Sequence, residues 1–371
     1  MSAQTSQPDT ALSGAEAMVR LLQAHQVEYV FGLCGDTTLP FYDALHRLDH
    51  GITHILTRDE RAAAYMADGY ARVSGRVGVC EGPSGGGATY ILPGVVEANE
   101  SSIAMVSITS DVSVTSRGHY PLTELSQDRL FSPLTQFNAV IDHPERLASL
   151  VRAAFRAATT GRPGAAHLGF PIDMQRAGIA PGDIWAQPEF GRFPAWPAGP
   201  DPSAVEKALG LLAEATRPLA ICGGAVVSCS AEKSLAQLAE RFNLAVATTV
   251  SGKGALADDH PLALGVIGSN GGTPATRTVV DAADLVIFIG CRAGSVTTER
   301  WRSPAPGVKV IQIDCDPMVI SATYPTAVAM VSDVGLALAA LNEVAQVEEQ
   351  QADGNGERIV ADARKHKFAE F

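Results

Sequence analysis

Short apolar runs that end in glycine or a polar loop alternate with helical stretches along most of the chain, and this alternation constrains the fold more than any other feature. "EYVFGLCGD" is a β-rich run closing on glycine, "LPFYDALHRL" returns to helical spacing, and "ITHILT" is extended. "DERAAAYMADGYARVSG" reads as helix and "VGVCEG" as strand; "SGGGATYILPGVVEANE" is a glycine loop opening a helix, and "IAMVSITSD" is again a strand. "GAEAMVRLLQAHQV" upstream and "HPERLASLVRAAFRAATT" downstream carry apolar residues at helical spacing. The second of these closes on the Gly161-Arg162-Pro163-Gly164 turn before a last strand, "AAHLGFP". Strands joined through helices run parallel, so the pattern predicts an α/β fold with helices on both faces of a sheet.

The pattern breaks in "GIAPGDIWAQPEFGRFPAWPAGPDP", which is rich in Pro and Gly and has no period. It then resumes with the helix "SAVEKALGLLAEA", for which Ser203 is the expected N-cap, and the buried strand "PLAICGG". "SLAQLAERFN" is helical, while "LAVATTV", "DAADLVIFIGC" and "VKVIQIDCDP" are strands. The expected layout is two doubly wound parallel-sheet domains, 1–180 and 203–345, with a linker over 181–202 and a polar C-terminal tail over 346–371 that has a Gly-rich break and room for one short helix. A length of 371 residues agrees with two cores rather than one.

Composition narrows the function classes. A net charge of −12 with no basic stripe excludes a nucleic-acid backbone as partner. No apolar run reaches the ~18 residues of a membrane span, and the start "MSAQTSQPDT" lacks a signal-peptide core. The six cysteines are scattered without a CxxC, as for free thiols in a reducing compartment, and the expected location is the cytoplasm. The nine histidines show no metal-binding spacing.

Ligands of open α/β sheets sit beyond the carboxyl ends of the strands. Three loops leave such ends: Gly32 to Thr38, Arg58 to Glu60, and Gly82 to Tyr90. Gly85-Gly86-Gly87 lets backbone approach a ligand or a packing neighbour closely. Neither GxGxxG nor GxxxxGK[ST] occurs, which argues against the usual dinucleotide and P-loop sites. Glu60 stands before a helix of small residues, where it reads either as a catalytic carboxylate or as an ordinary charged first turn. On spacing alone Asp59 competes with it.

"VFGLCGDTTLPFYDAL", "RDERAAAYMADGYARVSGRVGVC", "PSGGGAT" and "TTGRPGAAHLGFPIDMQ" occur in that order. Together they resemble the pyrimidine-binding domain of the thiamine-diphosphate-dependent enzymes of the acetolactate synthase and 2-keto-acid decarboxylase group. "RPLAICGG", "ATTVSGKGALADDHPLALGVIG", "ADLVIFIG", "VIQIDCDP" and "YPTAVAMVSDV" resemble that family's middle domain, so the likeness runs over roughly residues 12 to 343. The resemblance implies that Glu60 meets the aminopyrimidine ring of thiamine diphosphate. There it would favour the imino tautomer, whose nitrogen takes the proton from the thiazolium. It implies cofactor contacts from Gly35, Ser84, Gly85, Gly86 and Gly87, and substrate contacts from Thr37, Pro83, His119, Tyr120 and Thr123. Asp36 falls where pyruvate-type decarboxylases carry a catalytic aspartate, and is either a proton relay or a turn residue capping through Thr37 or Thr38.

Departures qualify the likeness. Asp59 replaces the motif histidine, Gly86 the proline of "GPG", Tyr90 an asparagine, and Leu122-Thr123 a phenylalanine and glutamine. These changes lie on the substrate side and point away from acetolactate synthesis itself. The family's "GDG" followed by an asparagine, which holds Mg²⁺ and the diphosphate, does not occur in the sequence. The resemblance therefore implies either a fragment or, the favoured reading, the α component of a split enzyme whose separate diphosphate-binding subunit holds Mg²⁺, in a hetero-oligomer built on an α dimer and acting on a small-molecule substrate. The alternative is a non-catalytic nucleotide-binding or regulatory module of the same fold. In the middle domain Gly268, Gly290, Arg292 and Asp314 occupy the loops that take FAD or an ADP moiety in some relatives. The FAD-binding "FDDR" is replaced by Ala293-Gly294-Ser295-Val296, so an empty vestigial fold is the expectation.

Overall fold

A computed structural model describes residues 11–348 and 354–369. The chain divides into two compact units, Met1–Trp196 and Pro197–Phe371. In the first, strands β1 (Tyr29–Gly32), β2 (Thr53–Leu56), β3 (Gly78–Gly82), β4 (Met105–Asp111), β5 (Phe137–Val140) and β6 (Ala165–Pro171) form one parallel sheet in the order β2-β1-β3-β4-β6-β5. Successive side chains on a strand point to opposite faces. Val79 and Val106 accordingly pack with Met18, Leu22, Phe41 and Phe155, while Cys80 and Met105 pack with Ala63, Ala67, Ile91 and Val95.

Helices α1 (Gly14–Ala24) and α2 (Leu39–Arg47) cover the first face, and α3 (Glu60–Ser74) and α5 (Leu92–Glu100) cover the second, with a short turn of helix, α4 (Gly86–Tyr90), leading into α5. α3 packs closely because its inward positions are alanines, and it stops at Gly75, which takes the left-handed conformation at φ 68°. Strand β5 escaped the sequence pattern. It is a half-buried edge strand of four residues whose "FNAV" offers neither a continuous apolar run nor a clean alternation.

In the second unit, β7 (Pro218–Cys222), β8 (Ala245–Thr248), β9 (Ala263–Val266), β10 (Leu285–Ile289), β11 (Lys309–Asp314) and β12 (Val328–Val331) form a parallel sheet in the order β9-β8-β7-β10-β11-β12. Helices Pro202–Glu214, Glu232–Phe242 and Val334–Val347 pack on one face, and Pro274–Asp281 and Gly356–Ala369 on the other. The strand order reverses between β7 and β10, the crevice where open sheets of this winding bind ligands.

Three local expectations differ from the structure. Asp201, not Ser203, caps the helix at Pro202, its side chain accepting from the Ser203 N–H at 2.8 Å. Pro202 needs no N–H partner and has its φ preset for a first helical position, which moves the cap two residues upstream. Residues 181–202 are not a free linker. Arg152 stacks 4.0 Å over the Trp185 ring and bonds Asp183, the Val77 and Phe193 N–H groups pair with the Gly191 and Gly75 carbonyls, and Ala198 O accepts from the Asp333 N–H. The segment called a polar tail contains the helix Gly356–Ala369, which buries Val360 and Ala363 against the sheet. The helix is longer and more firmly packed than the short helix the sequence suggests, because one buried valine and one alanine make a weak stripe. Among the described residues no helix is long and apolar enough to cross a membrane, and the six cysteines are free.

Candidate active site

Four loops meet at the carboxyl ends of β1 to β4. The chain leaves β2 and enters α3 through Asp59, whose extended backbone and side chain cap the helix by accepting from the Arg61 N–H at 2.8 Å. The same carboxylate holds the Arg61 guanidinium at 2.6 Å, and these hydrogen bonds bring Asp59 down to about 2. Asp59 is therefore occupied as a cap and an ion-pair partner. Glu60, the first helical residue, is only 8% exposed, and no hydrogen bond among the described residues engages its carboxyl group. A carboxylate is favoured at a helix N-terminus, yet a buried one without a partner is costly. Glu60 is thus a buried first-turn carboxyl group whose hydrogen-bonding capacity is not used among the described residues.

The glycine loop lies against that carboxyl group. A Cβ added at Gly87 would stand 3.2 Å from Glu60 Oε1 and 2.5 Å from Pro83 Cδ, and one at Gly35 would stand 2.6 Å from Pro83 Cβ. Pro83 is clamped between the two glycines. Gly85 has φ 65°, and a Cβ there would meet Thr123 Cβ at 2.6 Å. Hydroxyl groups tie the loops together: Thr37 Oγ1 pairs with Ser110 Oγ at 2.7 Å and Ser84 Oγ at 3.1 Å, and Ser84 Oγ pairs with Thr123 Oγ1 at 2.7 Å. Gly87→Ala is expected to push Pro83 and Glu60 outward and cost about 1–3 kcal/mol, read as a lower urea midpoint of the full chain.

Two models of known enzyme domains match this chain: "Thiamine pyrophosphate enzyme, N-terminal TPP binding domain" over residues 12–130, and "Thiamine pyrophosphate enzyme, central domain" over residues 205–341. The chain belongs to the thiamine pyrophosphate enzymes. It is 40% identical over 331 residues to a probable acetolactate synthase large subunit of Methanococcus aeolicus, covering 88% of this chain and 54% of that one. It is 36% identical over 346 residues to an acetolactate synthase large subunit of Parasynechococcus marenigrum, covering 90% and 54%. With the acetolactate synthase isozyme 2 large subunit of Escherichia coli it shares 34% over 332 residues, covering 90% and 59%. The chain spans little more than half the length of these relatives.

The residues present fit the aminopyrimidine end of thiamine pyrophosphate, because a buried, unpartnered carboxyl group lies beside a cradle that any Cβ would fill. Of the residues expected at this thiamine pyrophosphate site, Gly35, Thr37, Glu60, Pro83, Ser84, Gly85, Gly87 and Thr123 are brought together. Gly86 is exposed at the start of α4, with only Tyr90 near a Cβ added to it. Asp36 is exposed in a single helical turn. The Gly35 N–H and C=O there are bonded by Thr38 Oγ1, so Asp36 itself caps nothing. His119 and Tyr120 are exposed on the loop after β4, and among the described residues no hydrogen bond joins their side chains to Glu60. In the central domain Gly268 and Gly290 have positive φ, Arg292 is exposed, and Asp314 accepts from the Asp316 N–H at 3.0 Å. Burial raises the Asp314 carboxyl group above its usual range. Sequence reasoning missed Glu81 and Tyr42, which lie behind the site; a glutamate inside the apolar run "VGVCEG" was the available signal.

Proposed function

We propose that this chain is the pyrimidine-binding subunit of a heteromeric thiamine-diphosphate-dependent enzyme. It makes or breaks a C–C bond as a decarboxylase, lyase or carboligase, on a 2-keto acid or 2-hydroxyacyl substrate. The observation that carries the reading is the burial of Glu60, without a partner, against the Gly85-Gly86-Gly87 loop. When bound, the coenzyme supplies the nucleophilic carbon that attacks the substrate carbonyl. Glu60 offers its carboxyl oxygens for proton exchange with the pyrimidine ring, with Pro83 and Gly87 packed beside them. The Thr37–Ser84–Thr123 hydroxyl chain fixes the loops on the substrate side, so that little reorganisation is left for the moment of reaction.

A second polypeptide completes the site in this reading, holding the diphosphate and Mg²⁺. The 371 residues contain the glutamate and the glycine loop but no GDG run followed by an asparagine. Exposed Leu56 at the end of β2, Tyr65 and Met66 on α3 and Tyr90 at the end of α4 offer apolar area near Glu60 for such a partner or a second α chain. The test is to purify the chain from its host, identify what accompanies it, and assay 2-keto acids with each chain alone and with both. Turnover that needs both chains, thiamine diphosphate and Mg²⁺ is the expected result. Full turnover by this chain alone overturns the division of the site.

A further inference from the structure

Glu81 interrupts the apolar run of β3 and is 1% exposed. Strand alternation places it on the same face as Val79, toward α2. Its Oε2 accepts from the Tyr42 hydroxyl on α2 at 2.6 Å, while its Oε1 is buried without a partner. The arrangement needs glycine on the neighbouring strand, since a Cβ at Gly32 would lie 2.7 Å from both Glu81 Oε2 and the Tyr42 hydroxyl. The Tyr42 ring stands edge-on to His54 of β2 at 4.8 Å, and His54 Nε2 is also buried and unpartnered.

The titratable groups around Glu81 are Tyr42 on α2, Cys34 on the loop after β1, His54 on β2, Cys80 on its own strand and Glu60 at the head of α3. None supplies a standing positive charge: burial pushes His54 toward its neutral form, and Arg61 beside Glu60 is held by Asp59. A buried carboxylate with no cation is costly, so the carboxyl group keeps its proton instead. Burial is the main cause that pushes Glu81 up to about 8; the Tyr42 hydrogen bond opposes it, and the charge of Glu60 adds to it. With Tyr42 donating to Oε2, the proton of neutral Glu81 resides on Oε1.

We propose that Glu81 is a positioning residue for Glu60: it precedes Gly82, where an added Cβ would stand 3.6 Å from Glu60 Cγ, and it is a neutral carboxylic acid locked to Tyr42 whose loss of its proton would add a negative charge one residue from that contact. The proposal rests on the role given to Glu60 above, but its core can be tested on the chain alone. The folded chain holds this proton up to about 8, whereas an ordinary glutamate releases it near 4.5. Glu81's contribution to stability is therefore complete below 4.5 and is lost as pH rises through 8.

The experiment is an infrared pH titration of the full chain, following the protonated-carboxyl C=O band in the wild type, Glu81→Gln, Glu60→Gln and Tyr42→Phe. The wild-type minus Glu81→Gln difference is expected to show a band present at neutral pH that vanishes with a midpoint near 8. Glu60→Gln should move that midpoint down by removing the neighbouring charge, and Tyr42→Phe should move it up by removing the donor. Gln still accepts from Tyr42, so a merely structural role predicts no pH signature; should Glu81→Gln fail to fold, the other two variants still report. A midpoint indifferent to Glu60→Gln, or no band difference at neutral pH, overturns the proposal. With the partner chain present, wild-type turnover is expected to fall as pH rises through 8, and Glu81→Gln should remove that fall. If turnover proves independent of Glu60 while the infrared coupling persists, the proposed function fails and the pairing stands.

Discussion

Glu60→Gln is expected to lower turnover of the assembled enzyme by about 10²–10⁴, the range lost when a positioned acid–base group is removed. The substitution keeps the shape of the side chain and its place at the head of α3, and changes the group that can exchange a proton. Gln at this position still fits between Gly82 and Gly87, whose added Cβ atoms would lie 3.6 Å from Glu60 Cγ and 3.2 Å from Oε1. Folding should be unaffected or slightly improved, because an amide costs less to bury than an unpartnered carboxylate. The checks are kcat with the partner chain and saturating thiamine diphosphate, and the urea midpoint of the variant alone. Asp59→Asn is the matched control. It weakens the Arg61 pair and the helix cap, and should cost roughly 0.5–2 kcal/mol of stability while leaving most turnover in place. If the two variants exchanged behaviours, the assignment of the catalytic carboxyl group to Glu60 would be wrong.

Ending the chain at residue 348 is expected to destabilise the second unit by on the order of 5 kcal/mol, a large share of what holds a domain folded. The helix Gly356–Ala369 buries Val360 and Ala363 in the same apolar layer as Ala245, Ala247, Leu264 and Val280. Removing it exposes one face of β8 and β9 to water. Arg364 is lost as well, and with it hydrogen bonds at 2.9, 2.9 and 3.0 Å to the carbonyls of Asp258, His260 and Ala263 around the entry to β9. The Gly354 and Gly356 N–H groups also release the carbonyls of Phe242 and Asn243. The measurement is urea unfolding of the truncated and full chains. A shared midpoint would show that this helix is dispensable. Lys365→Ala, at an exposed position of the same helix, should stay within about 0.5 kcal/mol of the wild type.

The helix that carries this prediction was the part of the fold least legible in sequence. Runs such as "VGVCEG" and "DLVIFIG" announce themselves because central parallel strands are buried on both faces and so become continuously apolar. Edge strand β5 is half-buried along its length and β12 is buried on one face only, so their sequences carry correspondingly less signal. The stretch 181–196 looked like a linker because Pro and Gly suppress periodicity, yet its bonds run to Arg152, Val77 and Gly75, partners distant in sequence. Motif order pointed to Glu60, whereas spacing alone left Asp59 equal to it. In the structure Glu60 is buried while Asp59 is taken up as the helix cap and the Arg61 partner.

Sequence by itself determined the class of fold, and it named the loops and the carboxyl group proposed for the site. Each of these is written in local pattern: strand and helix periods, glycines where a side chain would collide, and an acid at a helix start. Tertiary structure alone decided that Pro83 is gripped between Gly35 and Gly87, that Thr37, Ser84 and Thr123 form one hydroxyl chain, and that Glu81 is sealed behind Tyr42. Those facts depend on which distant segments the parallel crossovers bring together. Burial and unpaired hydrogen-bonding capacity belong to that assembly rather than to any stretch of residues.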